Sequence, residues 1–224
     1  MNIAYTSLDF EISLEENKVT TLVIENKHLY RQMIRELIKQ ENGDEGSWIL
    51  SDTGNILEIK KYVHTILNIL QLDLNQKSIL TKLQAKFVKM ANNEIELVSE
   101  INSKIQELLF KLEFEYDLDV GHQDFISAQE LIKLGNLYFR QDREIDLLNL
   151  ISYAEIVQDL LKPKLFVITN LKSLVTDEER REILRTLMSK YIHVLCLESE
   201  AYEKGMIDKN FENRYTLDND FCLI

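Results

Sequence analysis

The chain has 224 residues, 45% hydrophobic and 29% charged, which is ordinary for a folded protein with a sizeable buried core. Its 26 Lys and Arg stand against 38 Asp and Glu, and a net charge of −12 excludes a uniformly basic surface for nucleic acid; binding DNA would require locally segregated charge or carboxylates neutralised by cations. One Pro and six Gly argue against long flexible linkers, and no run of about 18 apolar residues offers a membrane span.

The opening MNIAYTSLDFEISLEEN has no basic start followed by an apolar core, so no secretory signal is expected. A cytoplasmic protein with Cys196 and Cys222 as free thiols is the matching expectation. The start of the chain predicts strands, and Val19 to Ile24 (VTTLVI) is apolar and β-branched enough for a buried one. His28 to Gln40 then puts Leu29, Met33, Ile34, Leu37 and Ile38 on one helical face. Ser47 to Ile59 predicts a hairpin turning near Thr53-Gly54-Asn55, while Tyr62 to Leu74 is ambiguous between strand and helix.

From Gln76 to about Glu115 there is no Gly or Pro, and the apolar spacing is helical. Leu80, Leu83, Phe87 and Met90 form one seam; Val98, Ile101, Ile105, Leu108 and Leu112 form another. Two long helices in a protruding antiparallel hairpin is the simplest arrangement, with Asn93 and Glu96 as a capping box for the second. Ala128 to Leu134 predicts a short helix ended by Gly135. Asp142 to Lys162 predicts a longer one, with Leu147, Leu150, Ile151, Ala154, Val157, Leu160 and Leu161 inward and Pro163 as its stop. Strand 165–169, helix 177–190 with Thr176 and Glu179 as capping box, and strand 192–197 complete a parallel crossover. The ends of the chain (1–74 and 136–224) thus predict an α/β head, and 75–135 a helical leg inserted into it.

Nucleotide hydrolysis is not expected. A phosphate-binding loop needs glycines, a Lys and a Ser or Thr after its strand, and ENKHLYRQ follows VTTLVI here. The strand that would end in a magnesium-binding acid ends in Thr169. The four histidines are dispersed, and neither GxSxG nor a papain-like cysteine motif occurs, so no catalytic residue is proposed. Between Lys111 and Lys133, by contrast, six acids (Glu113, Glu115, Asp117, Asp119, Asp124 and Glu130) have no basic residue among them. Alternating carboxylates before a Gly turn suit a hard cation such as calcium, which takes 6–8 oxygens; a solvated acidic turn is the other reading. Lys82, Lys86 and Lys89 share one helical stripe and are candidates for DNA phosphates, with Lys162 and Lys164 as further candidates; a solubilising face is the other reading of the stripe.

EYDLD (115–119), QELIKLG (129–135), KPKLFVITNLKSLVTDEE (162–179) and HVLCLESE (193–200) resemble the Csn-type adaptation protein of subtype II-A CRISPR–Cas systems. The resemblance implies an ABC-ATPase-like head without a P-loop, helical legs, and a homotetrameric ring. It further implies calcium-dependent, sequence-independent binding of double-stranded DNA ends in spacer acquisition, with the Cas1–Cas2 integrase and Cas9 as partners. Glu115, Asp117, Asp119, Asp124 and Glu130 fall on the family's acidic calcium segment, where GHQ (121–123) departs from the shorter acidic run of the family. The competing expectation is an ABC-like ATPase-derived scaffold or regulatory protein that does not bind DNA.

Overall fold

The computed structural model describes residues 1–8, 10–115, 120–140, 147–200 and 211–224. The chain divides into two compact units, one of residues 1–72 with 143–224 and one of 73–142.

The first unit is α/β and holds two sheets. β1 (Asn2–Tyr5), β2 (Phe10–Ser13), β4 (Trp48–Asp52) and β5 (Asn55–Leu57) form an antiparallel sheet in the order β2-β1-β4-β5. Thr53 and Gly54 both take positive φ (48° and 82°) between β4 and β5, as a tight two-residue hairpin turn requires. The second sheet is parallel. Its strands β3 (Val19–Ile24), β6 (Val63–Ile66), β7 (Leu165–Thr169), β8 (His193–Glu198) and β9 (Glu212–Leu217) lie in the order β6-β7-β8-β3-β9. Every residue of β3 and β7 is buried, which explains their unbroken apolar or Thr sequences: a parallel strand covered on both faces has no polar side.

Strand alternation assigns the two faces. Leu22, Ile24, Leu165, Val167, Leu195 and Leu197 point into one core with Ile3, Tyr5, Ile12, Trp48 and Leu50 of the antiparallel sheet. α1 (Lys27–Asn42) contributes Leu29, Tyr30, Met33 and Leu37 to the same core, the stripe its spacing predicts. Trp48 satisfies its buried indole by donating to the Met33 carbonyl at 2.9 Å. α2 (Ile59–Tyr62) is a single turn leading into β6, which with a 3-10 turn at Ile69–Gln71 resolves the ambiguous stretch. On the other face, His64 meets both Phe166 of β7 and Tyr153 of α6 (Leu147–Leu160), while Arg180 of α7 (Asp177–Ser189) reaches Thr21. In α6 the buried residues include Leu150, Tyr153, Ala154 and Val157; Ile151, Leu160 and Leu161, expected inward, are half-buried. The expected start of that helix, from Asp142, lies partly outside the described residues.

The second unit holds α3 (Lys77–Ala91), α4 (Ile95–Glu115) and α5 (Ala128–Leu134). Two expectations need correcting here. α4 begins at Ile95, which puts Glu94 and not Asn93 at the capping position. The proposed seam is not closed within one chain: Met90, Leu108 and Leu112 are exposed, and α3 comes closer, backbone to backbone, to α5 than to α4. A seven-residue α5 packs on α3, which spacing on the two long helices could not reveal.

Candidate nucleic-acid interface

α3 is the basic element of the chain. KSILTKLQAKFVKMA carries Lys77, Lys82, Lys86 and Lys89, no acid, and one buried residue, Ile79. All four lysines are exposed, and Lys82, Lys86 and Lys89 recur at i, i+4 and i+7 on one side. Lys77 was not among the expected residues; the lack of any acid in the helix was the signal for it. α4 has the opposite character. Its two lysines, Lys104 and Lys111, are both held by Glu107 at 3.1 and 2.8 Å. Those bonds, Lys111 first, pull the Glu107 carboxyl down to about 2. α3 therefore carries four of this unit's lysines with no acid among them, whereas both lysines of α4 are paired with Glu107.

Lys162 and Lys164 belong to the other unit. Lys162 follows α6 with φ 55° and is exposed. Lys164 donates to Asp52 Oδ2 at 2.6 Å and lies over the Tyr62 ring, which Lys61 also approaches. Lys164 holds the Asp52 carboxyl below its ordinary range, so part of its charge is spent inside the protein.

The acidic segment is tied down at several points. Glu115 ends α4 and is exposed; Asp124 is exposed in the segment before α5. Glu130 sits in the first turn of α5 and closes a capping box, accepting from the Ser127 N–H at 2.8 Å and its hydroxyl at 2.6 Å. These bonds lower the Glu130 pKa. Asp117 and Asp119 lie outside the described residues. The GHQ departure is knitted onto α4: His122 Nε2 meets Glu113 Oε1 at 3.2 Å, its ring packs edge-on against Phe110, and Gln106 donates to the Gln123 and Asp124 carbonyls at 2.9 and 3.1 Å. Among the described residues no three His, Cys, Asp or Glu gather to hold a metal ion. Glu115, Asp124 and Glu130 alone therefore do not make a calcium site, and the expected donor set depends on Asp117 and Asp119.

At the end of β3, where nucleotide-binding domains seat phosphate, the chain uses its own donors. Asn26 caps α1 by accepting from the His28 and Leu29 N–H groups at 3.0 and 3.1 Å. Lys27 donates to the Ser199 carbonyl at 2.7 Å. Thr169, buried at the end of β7, donates to the Leu67 carbonyl at 2.8 Å. The N–H groups that would meet a phosphate are engaged by a side chain. Among the described residues, no helix is long and apolar enough to cross a membrane.

Comparison with known proteins places these features. A solved ATP-binding cassette of an ABC transporter, in its ADP conformation, is similar at 11% identity over 92% of this chain and 79% of that one. Its TM-score of 0.45 marks a remote likeness that carries no argument about chemistry. The CRISPR-associated protein Csn2 of Enterococcus faecalis is 20% identical over 221 residues, spanning 96% of this chain and 99% of that protein. The family model for CRISPR-associated protein (Cas_Csn2) matches residues 40–221, which takes in α3, the acidic segment and all five strands of the parallel sheet but β3. The chain belongs to the CRISPR-associated Csn2 family.

Proposed function

We propose that this protein binds ends of double-stranded DNA without regard to sequence, as a calcium-dependent homotetrameric ring, during acquisition of CRISPR spacers. The Cas1–Cas2 integrase and Cas9 are the partners in this reading. Family membership makes the chain a non-catalytic CRISPR-associated protein, so its contribution is binding. The observation that carries the DNA reading is α3, an acid-free helix with four exposed lysines in a chain of net charge −12. The ammonium groups of Lys82, Lys86 and Lys89, on one stripe, suit phosphates, and phosphate contacts carry no base information. Self-association is supported by large apolar side chains left open on α4, among them Leu108, Leu112 and Phe114, the last 93% exposed. Calcium, held by Glu115, Asp117, Asp119, Asp124 and Glu130, would neutralise carboxylates of an otherwise acidic chain.

Charge reversal tests the reading. Lys82→Glu, Lys86→Glu and Lys89→Glu together should weaken binding to every linear duplex tried, by about tenfold or more at moderate salt. The slope of log affinity against log salt should fall by roughly 3, close to one per lost phosphate contact. Unchanged affinity and slope would remove α3 from the interface. Calcium is tested separately: Asp117→Asn with Asp119→Asn should abolish the calorimetric calcium signal and weaken the oligomer, and an unaltered calcium affinity would contradict that part.

A further inference from the structure

Two asparagines in the helical unit make the same unusual pair of bonds. Asn102, only 5% exposed in the middle of α4, accepts from the Ile126 N–H at 2.7 Å and donates to the Ile126 carbonyl at 3.0 Å. Asn75, just before α3, accepts from the Phe139 N–H at 2.8 Å and donates to the Phe139 carbonyl at 3.1 Å. Each amide gives one residue what a neighbouring strand would give it, a donor and an acceptor side by side. Both are fixed in turn: Asn102 also donates to the Val98 carbonyl at 2.9 Å, and the Asn75 N–H donates to Asp73 at 2.8 Å. Between the two clamped residues lies α5, closed at its start by the Ser127–Glu130 capping box and packed on α3. Gln106 strengthens the α4 end through the Gln123 and Asp124 carbonyls.

We propose that residues 126–139 act as a brace that fixes α3 against α4, with Asn75 and Asn102 as positioning residues for the lysine stripe. The amides are specific to the task. Asp would keep the acceptor, lose the donor and set a charge against a carbonyl; Leu would leave a half-buried N–H and C=O unpaired. Because several apolar side chains of α3 and α4 are left exposed, the polar clamps add to the apolar packing that Ile79 and Ala128 supply. The link from brace to DNA rests on the proposed function, whereas the brace itself does not.

Hydrogen exchange on the full chain separates the two. Asn102→Ala should speed exchange at Ile126 and also at Phe139 and along α3, by about tenfold, while β3 and β7 keep their protection. Asn75→Ala should do the reciprocal, reaching back to Ile126. Gln106→Ala, milder because its side chain is less buried, should give a smaller effect at the same places and serves if Asn102→Ala does not fold. Loosening confined to each variant's own clamp would overturn the brace. Asn75→Ala, with every lysine retained, should also bind a linear duplex several-fold more weakly; wild-type affinity in that variant would overturn the positioning role. If the wild-type protein binds no duplex, the functional reading fails, the positioning role falls with it, and the exchange pattern alone decides the brace.

Discussion

His64 lies on β6 with its ring against Tyr153 and Phe166, and its Nε2 shares a hydrogen bond of 2.9 Å with the Tyr153 hydroxyl. Burial disfavours the imidazolium and lowers its pKa to about 4. The unfolded chain takes up this proton near pH 6.5 and the folded chain does not, so stability is complete above that pH and declines as pH falls toward 4. Between pH 7 and 5 the loss from this residue should be about 2 kcal/mol. Urea melts at the two pH values should show a smaller difference for His64→Gln than for wild type; equal differences would show that His64 does not carry it. A second buried feature behaves differently. Glu212 receives Arg180 at 2.7 Å and Arg214 at 3.2 Å, and accepts from Thr21. Burial alone would raise its pKa, but the Arg180 hydrogen bonds and charge leave it lowered. Glu212→Ala removes the buried carboxylate that Arg180 and Arg214 share and should cost about 3 kcal/mol or more, measured by equilibrium denaturation. A loss under about 1 kcal/mol would contradict that account. Neither environment was legible in the sequence, because the partners are 89 and 32 positions away (His64 to Tyr153, Arg180 to Glu212) and nothing local marks them.

Helices and strands were far more legible than their relations. The face of α1, the hairpin at Thr53-Gly54, the stop at Gly135 and the Thr176–Glu179 capping box all follow from local rules, and the last is formed, with Thr176 N–H donating to Glu179 at 2.8 Å. Tyr153 was missed in the α6 stripe because a Tyr can turn its hydroxyl to water, whereas here the hydroxyl finds His64. The start of α4 was misplaced because Asn is a strong cap wherever it stands, and two occur side by side at Asn92 and Asn93. The paired seams were misread because apolar spacing states that a face needs covering, not what covers it. The α1 cap carries a prediction of its own. Asn26→Ala should lower stability by about 1 kcal/mol, through loss of a helix cap. Neither the variant nor wild type should release phosphate from ATP above a heat-killed control. Release that disappears on Lys27→Ala would overturn the non-catalytic account.

Across the whole molecule the central quantity is the distribution of charge. Of the expected DNA-binding residues, Lys82, Lys86 and Lys89 share a stripe on α3, whereas Lys162 and Lys164 belong to the other unit and Lys164 is bound to Asp52. The lysine stripe was legible because helical spacing and an absence of acids are both local. The acidic segment was legible as composition only: among the described residues its carboxylates do not gather, and Asp117 and Asp119 lie outside those residues. In the proposed function, a ring closed around duplex can load only at an end. The most direct measurement compares binding to a linear duplex with binding to the same sequence as a covalently closed circle of equal length, with calcium present. The account predicts salt-sensitive binding to the linear form alone, recovered for the circle when a single cut opens it. Equal affinity for the two forms would contradict it.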